Sequence, residues 1–306
     1  MRRDEWESKG RGVRLEYRLP DGRRVRGDLA QGEDRIMALL YADDLVLLAE
    51  NEGSLRRLVV SFEKTTQESG LTINVAKTKQ LITLPNRKDP DNRLIDVDLS
   101  IRGVQVEQVN EFIYLGSVMS ETGSSIRDIN RRISNAAYKF NKLEKVWKQS
   151  GISLKTKALI YRTTVMATLF DGAESWTCTQ DEYARLNAFR TKRLSTLVGK
   201  KREEIRNADL LKRAGMRPLE NYVRYYRLRW AGHVRQMDDS RLPKRVLFGE
   251  LAGGSRGRRR PKKTWVDSLR EDCEQVGIPA SQWIQSAKDR LLWCSSISSL
   301  TSVKKK

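Results

Sequence analysis

Cysteine and histidine are scarce in this chain of 306 residues, which has three cysteines and a single histidine, His233. The cysteines, Cys178, Cys273 and Cys294, are odd in number and far apart, and no Cys-x-x-Cys pair occurs. A disulfide framework is therefore not expected, and ordinary core packing is preferred to a zinc site built from these four residues. We interpret the cysteines as buried thiols and His233 as a packing or backbone-bonding residue.

Long apolar runs are also lacking. No segment approaches the roughly 18 to 20 consecutive apolar residues of a membrane span, and the mean hydropathy is −0.61. The first residues carry charges at Arg2, Arg3, Asp4, Glu5 and Glu7, where a secretory signal needs an apolar segment. We therefore expect an intracellular protein, nuclear or cytoplasmic, with no membrane segment; the sequence gives no indication of its oligomeric state.

Charge is abundant and unbalanced. Lys and Arg exceed Asp and Glu by 20, and the excess is zero over residues 1–100, +7 over 101–200 and +13 over 201–306. A positive field of this size attracts polyanions across a Debye length of roughly 8 to 10 Å. Nucleic acid is the expected partner, although a basic structural protein of the ribosomal kind would have the same composition.

Hydrophobic periodicity predicts strands and one helix in the first 120 residues. Two apolar segments, 36–41 and 45–48, are predicted to form a hairpin around Ala42-Asp43-Asp44, and a helix is predicted from the N-cap Ser54 to Gly70. The other predicted elements are hairpins over 13–29 and 99–106 and strands over 71–75, 80–84 and 112–118.

Beyond Gly123 the apolar spacing becomes helical. Residues 238–260 are predicted as a loop or linker that continues into a segment rich in glycine and arginine, 253–263. The predicted helices cover 126–149, 153–170, 181–198, 207–214, 219–237, 265–276 and 282–297. The predicted fold class is therefore α+β.

Two adjacent carboxylates, Asp43 and Asp44, are predicted at the tip of the second hairpin. Carboxylate oxygens on a rigid turn are suitable ligands for Mg²⁺ that bridges substrate phosphates. The alternative is that aspartate is simply common in turns, where its side chain bonds the local backbone. The residues alone leave these two interpretations equally open.

Five segments follow one another in a recognisable order: LLYADDLVLL (39–48), GLTINVAKTK (70–79), EFIYLGSVMS (111–120), YRLRWAGHVRQM (226–237) and RGRRRPKKTWVDSLREDC (256–273). Together they resemble reverse transcriptases of non-LTR (LINE-type) retrotransposons, from about residue 35 to near the end of the chain. The resemblance implies a partial polymerase palm, an antiparallel sheet with a packed helix, over 1–120. An all-α thumb over 121–200 and a basic helical region over 201–306 would follow. It also implies RNA-directed DNA synthesis from deoxynucleoside triphosphates with Mg²⁺, an RNA template, and a DNA primer or target.

The resemblance also assigns roles to single residues. Asp43 matches the aspartate that ligates the catalytic metals in the family, and Asp44 matches its neighbour, a supporting ligand. Lys77 or Lys79 falls where the family has a basic residue near the nucleotide phosphates, unless each is an ordinary solvated lysine. Three further residues match the turn that grips the primer end, unless they form a plain buried strand: Tyr114, Leu115 and Gly116.

One part of the family pattern is missing. The family has a further metal-binding aspartate on an upstream palm strand, but only about forty residues precede Tyr41 here. The candidates Asp4, Asp21, Asp28 and Asp34 all have polar or turn-like surroundings. We therefore expect a fragment with an incomplete active site and no significant polymerase activity by itself.

The basic residues have two competing interpretations. Arg131, Lys139 and Lys142 are predicted to contact nucleic acid from the helix over 126–149, although solvated helix faces are common. The cations of the glycine-rich loop are also predicted to bind nucleic acid, with nuclear import as a competing use of the same run. These loop residues are Arg256, Arg258, Arg259, Arg260, Lys262 and Lys263.

Two hypotheses remain at this point. The chain is part of an enzyme, or it is a non-catalytic basic protein, derived from such an element, that binds RNA or DNA. If the palm hairpins lack strands with which to pair, apolar residues such as Leu39, Leu47 and Ile73 should be partly exposed.

Overall fold

The computed structural model describes residues 12–17, 35–83, 97–251 and 263–302. The strands are β1 (Val13–Tyr17), β2 (Arg35–Ile36), β3 (Ala38–Tyr41), β4 (Asp44–Leu47), β5 (Lys79–Leu81), β6 (Ser100–Ile101), β7 (Val104–Gln105), β8 (Glu107–Val109), β9 (Glu111–Tyr114), β10 (Ser117–Ser120) and β11 (Gly249–Leu251). The helices are α1 (Glu52–Glu68), α2 (Ile126–Lys142), α3 (Glu144–Lys148), α4 (Leu154–Tyr161), α5 (Ala167–Leu169), α6 (Gln180–Val198), α7 (Asn207–Ala214), α8 (Leu219–Gln236), α9 (Leu242–Phe248), α10 (Trp265–Gln275), α11 (Trp283–Ser286) and α12 (Arg290–Ser298). This mixture of short strands and helices agrees with the α+β class.

The chain divides into two compact units. The strand-rich unit contains the described residues of 1–112, 120–122 and 238–261, and the helical unit contains those of 113–119, 123–237 and 262–306. Among the helices described here, none has both the length and the apolar character of a membrane-spanning segment.

Small sheets build the strand-rich unit. β1 lies between β11 and β2, β3 pairs with β4, β6 pairs with β7, and β5 runs parallel to β8. A small core holds this unit together, because α1 presents Val59 to four apolar residues of the 97–106 segment. The buried members are Val59, Val97, Leu99, Ile101 and Val106.

Helix ends in both units follow from local chemistry. The Asn51 side chain accepts the Ser54 backbone N–H at 2.9 Å, so Asn51 is the N-cap of α1, three residues before the predicted N-cap. Gly70, with φ +69°, follows the end of α1 as expected. In the helical unit, Thr179 and Glu182 form a capping box at the start of α6, and Gly199 ends that helix with φ +72°.

Several predicted elements are different in the structure. Residues 71–74 form no strand and lead into a 3₁₀ turn, Val75–Lys77. The predicted helix over 126–149 breaks at Leu143 into α2 and α3. The predicted linker contains α9, which has Pro243 in its first turn, and β11, which pairs with β1, more than 230 residues earlier in the chain.

Two small interpretations also need correction. Cys178 and Cys273 are buried, but Cys294 is exposed on α12. His233 is exposed near the end of α8, where its ring lies 5.6 Å from that of Trp230.

A large core occupies the helical unit. Apolar residues of α2 and of α4 through α8 contribute to it, with Leu169, Leu186 and Leu194 fully buried. The helices α10 and α12 also pack on α8. The contact with α12 is close: a Cβ on Gly232 would lie 2.3 Å from the Trp293 Nε1 and 2.5 Å from its Cδ1.

A polar network connects β10 to this helical core. Asp128 of α2 is only 3% exposed, and its carboxylate accepts the Val118 N–H at 3.0 Å and the Trp176 indole N–H at 2.8 Å. Arg132, one turn later and 6% exposed, places its Nε 3.8 Å from the same carboxylate. Its Nη1 donates to the Asp171 carboxylate at 2.5 Å. Arginine is ordinarily exposed, so the burial of Arg132 depends on the carboxylates of Asp128 and Asp171.

Replacing Asp128 with alanine should destabilise the helical unit strongly. The buried Trp176 indole N–H and the half-buried Val118 N–H would lose their acceptor, and Arg132 would lose a buried counter-charge, a situation that costs about 3 to 5 kcal/mol. The free energy of unfolding from denaturant titration measures this loss. Asp209→Ala, at an exposed position in the first turn of α7, is the matched control and should cost less than about 1 kcal/mol. Equal losses in the two variants would contradict the network.

Gly232→Ala should also destabilise this unit, because the new methyl group would overlap the indole of Trp293. That indole is buried and donates to the Leu228 carbonyl at 3.0 Å, so it has little freedom to move. Overpacking of this kind costs about 1 to 3 kcal/mol. Gly151→Ala is the control, since its Cβ would meet no atom within 4 Å. A thermal unfolding midpoint of Gly232→Ala as high as that of Gly151→Ala would contradict the close approach.

Candidate functional site

The acidic hairpin, residues 38–47, is the first part of the candidate site. β3 and β4 pair antiparallel in a register that ends with Tyr41 opposite Asp44. Ala42 and Asp43 form the two-residue turn, and Ala42 adopts φ +53°, a left-handed conformation that costs a residue other than glycine roughly 1 to 2 kcal/mol. The structure therefore confirms the predicted hairpin, with Asp43 in the turn and Asp44 as the first residue of β4.

The carboxylates of Asp43 and Asp44 are both exposed, so they are available to a ligand. Cross-strand partners share a face, which places Asp44 on the same side of the hairpin as Tyr41. Within the described ranges, no third acidic, histidine or cysteine side chain joins them in a group able to hold a metal ion. The carboxylate oxygens of Asp43 and Asp44 are the kind of ligand that Mg²⁺ prefers, but they supply only part of its coordination.

Apolar side chains beside the acidic turn are uncovered within the strand-rich unit. Leu40 is 75% exposed and Tyr41 is 62% exposed, and β3 and β4 form a sheet of two strands. Leu39 and Leu47 are half-buried, as is Ile73. Leu47 lies against the small core next to α1. The base of the hairpin is therefore packed, while its tip is exposed.

The two candidate phosphate-binding lysines have different surroundings. Lys77 ends the 3₁₀ turn, where its backbone N–H donates to the Asn74 side chain at 3.2 Å and its side chain is exposed. Lys79 lies in β5, and its ammonium group forms an ion pair with Glu107 of the neighbouring strand β8. The charge of Lys79 is thus partly neutralised, which leaves Lys77 as the more available cation of the two.

A tight turn separates β9 from β10, where the sequence pattern predicted one continuous strand over 112–118. Leu115 and Gly116 form this 115–116 turn with φ values of +47° and +82°. Leu115 is exposed, and Tyr114 is half-buried. A side chain at residue 116 would meet little steric obstruction, so glycine is required there for its backbone conformation.

Two arginines of α2 hold this turn from the helical unit. The Gly116 carbonyl accepts from the Arg131 Nη1 at 2.7 Å and from the Arg132 Nη2 at 2.8 Å. Because Arg132 also pairs with Asp128 and Asp171, the turn is connected to the buried network. The sequence analysis did not predict that these arginines bind the Gly116 carbonyl. The signal for it was the pair of adjacent arginines in a long predicted helix.

The exposed face of α2 is basic. Lys139 and Lys142 are exposed as predicted, and Tyr138 beside them is 58% exposed. The Lys142 ammonium lies 4.6 Å from the Tyr138 ring centroid, and a hydrogen bond from this ammonium, together with its charge, lowers the pKa of the Tyr138 hydroxyl. The only acidic residue of α2 is the buried Asp128, so the exposed face carries no opposing carboxylate.

The predicted basic loop falls mostly outside the described residues. Lys263 is described, and it forms an ion pair with Glu271 of α10. The other predicted cations of this loop are not described: Arg256, Arg258, Arg259, Arg260 and Lys262.

Comparisons with known proteins agree with the motifs. Residues 23–119, about a third of the chain, match the family model for the reverse transcriptase (RNA-dependent DNA polymerase). The chain is 28% identical over 268 residues to an uncharacterised transposon-derived protein of Caenorhabditis elegans, an alignment that covers 83% of this chain and 92% of that protein. No solved structure matches the chain significantly. The family match, the relative and the acidic hairpin within the matched region together support a reverse transcriptase-like protein.

Proposed function

We propose that this chain is the C-terminal part of a reverse transcriptase of the non-LTR retrotransposon type, in which it contributes one half of the catalytic centre and a nucleic-acid-binding surface. The observation that carries the proposal is the pair Asp43 and Asp44, exposed at the tip of an antiparallel hairpin inside the region that matches the family. The reaction of the whole enzyme would join a primer 3′-hydroxyl to the α-phosphate of a deoxynucleoside triphosphate and release pyrophosphate.

In this proposal Asp43 and Asp44 hold Mg²⁺, with Asp43 as the principal ligand. A divalent ion bound there would activate the 3′-hydroxyl and neutralise charge on the leaving pyrophosphate. The protein's own contribution is to fix the two carboxylates on a short, hydrogen-bonded turn. Lys77 would bind nucleotide phosphate, and Lys79 would do so if its pair with Glu107 opens.

The chain by itself is proposed to lack polymerase activity. The two carboxylates that the described part of the chain brings together supply too few ligands to hold two ions in register. Misplacement by about 1 Å is enough to lower a rate by about a hundredfold. We therefore expect Mg²⁺ to be held weakly here. The uncovered Leu40 and Tyr41 beside the turn support a further contact of this hairpin with the missing half of the site.

The 115–116 turn is proposed to contact the primer end. Its backbone is held by Arg131 and Arg132, so Tyr114 and Leu115 are presented from a rigid support. Arg131 uses one N–H group on the Gly116 carbonyl, and its remaining donors stay suited to phosphate.

The second candidate function is nucleic-acid binding without chemistry, by a protein derived from such an element. The observation that favours it is the basic exposed face of α2, which belongs to a unit with its own large core and requires nothing from the acidic hairpin. Both candidates share the prediction of nucleic-acid binding, and only the first predicts a role for Asp43.

Primer extension tests whether this chain alone is an active polymerase, which neither candidate function predicts. With an RNA template, a DNA primer, deoxynucleoside triphosphates and Mg²⁺, we expect incorporation no greater than that of Asp43→Ala, because the metal site is incomplete. Asp98→Ala, another exposed acid of the strand-rich unit, is the control for loss of one negative charge. Template-dependent synthesis that is present in the wild type and in Asp98→Ala but absent in Asp43→Ala would refute inactivity.

Affinity for an RNA–DNA hybrid should fall steeply with salt, because lysines that contact phosphates release counterions. Replacing Lys139 and Lys142 with glutamine should lower the slope of log affinity against log salt by about 1 per lysine. Fluorescence anisotropy over a salt series measures this slope. Replacing Lys155 and Lys288, which are also exposed, removes the same charge from the helical unit and should leave the slope nearly unchanged. A slope insensitive to the α2 pair would exclude this face.

A further inference from the structure

A groove runs along the C-terminal half of α6 in the helical unit. Its volume is about 700 Å³, within the range of about 300 to 1,000 Å³ that is usual for pockets that bind one small organic molecule. We call it the lysine groove. The residues that matter in it are Phe189, Lys192, Thr196, Lys200, Lys201 and Glu203.

Helical spacing and one glycine create the lysine groove. Phe189, Lys192 and Thr196 lie three and four residues apart and therefore share a face of α6. Gly199, in its left-handed conformation, ends the helix and directs Lys200 and Lys201 along the rim.

The rim of the groove is positively charged. In the portion of the chain that the structure covers, Lys192 and Lys201 form no ion pair, and the Lys200 ammonium is 4.0 Å from its only acidic partner, Glu204. Glu203 is the single acidic residue of the lining. The local field therefore favours an anion, and lysine is a common point-charge partner of phosphate.

The floor of the groove is aromatic. Phe189 is half-buried, and the Arg193 guanidinium lies 5.6 Å from its ring centroid and 5.0 Å from that of Phe140. Arg193 thus braces the Phe189 ring from within the protein, since it contacts a second aromatic ring of the core. A braced aromatic ring beside a row of lysines combines a stacking platform with contacts to a phosphate backbone.

We infer that the lysine groove binds single-stranded nucleic acid, with one unpaired base against Phe189 and the flanking phosphates at Lys192, Lys200 and Lys201. This inference rests on the proposed function and assigns it a second surface with a different preference from α2. A duplex does not fit this arrangement, because its bases are stacked and paired and cannot reach the floor of a pocket of this size.

The test uses the full chain and a fluorescent oligouridylate of about a dozen nucleotides, a length suited to single-strand sites. Replacing Lys192, Lys200 and Lys201 with glutamine should lower affinity for this strand at least about tenfold relative to a charge-matched variant. That control replaces three exposed cations elsewhere in the helical unit, Lys155, Arg162 and Lys288. Affinities within about twofold of each other in the two triple variants would overturn the inference.

The stacking contact has its own test. Phe189→Leu keeps an apolar side chain but removes the ring, and should weaken oligouridylate binding by about five- to a hundredfold. An abasic strand of the same length, which keeps the phosphates but has no bases, should bind Phe189→Leu and the wild type equally. If folded Phe189→Leu binds oligouridylate as tightly as the wild type does, the stacking contact is overturned. If Phe189→Leu does not fold, the triple lysine variant tests the groove instead.

Failure of this inference can be distinguished from failure of the proposed function. If both triple variants bind oligouridylate alike while the wild type binds an RNA–DNA hybrid through α2, the proposed function stands and the groove is rejected. If the wild type binds neither probe, both are rejected.

Discussion

The buried carboxylate of Asp128 is the constraint on which the 115–116 turn and the helices around it depend. A charge with so little contact with water is costly unless it is hydrogen-bonded and paired. Asp128 meets that requirement with the Val118 N–H, the Trp176 indole and the nearby Arg132. Because the carboxylate of Asp128 binds groups of three different segments, β10, α2 and the segment around Trp176 are stabilised as one network.

The same network gives the turn its stiffness. Leu115 and Gly116 both have positive φ, a conformation that costs energy for leucine, and it persists because two guanidinium groups bind the Gly116 carbonyl. A turn held in this way presents Tyr114 and Leu115 in a fixed orientation. The acidic hairpin is built differently, since only its base is packed and its carboxylates and neighbouring apolar residues are exposed. Side chains of this chain therefore hold the 115–116 turn in place, whereas the tip of the acidic hairpin is exposed.

The sequence pattern predicted the turns and helices whose formation depends mainly on neighbouring residues. The acidic hairpin, the 102–103 turn and α7 were predicted from their apolar spacing and turn residues. The pairing of β11 with β1 was not, because three residues carry too little signal to identify a partner so distant in sequence. Periodicity did not predict the 115–116 turn, because the mostly apolar segment 112–118 was interpreted as one strand; only the family resemblance indicated a turn there. Periodicity also did not predict the burial of Arg132, because arginine is ordinarily exposed to solvent and the acceptors of Arg132 lie on other elements.

The most direct test of the account is hydrogen–deuterium exchange of the full chain with and without an RNA–DNA hybrid. We expect the hybrid to slow exchange in two segments of the helical unit, the 113–119 turn region and the exposed half of α2 around Tyr138. Slowed exchange that is confined to other segments, with these two unchanged at saturating hybrid, would contradict it.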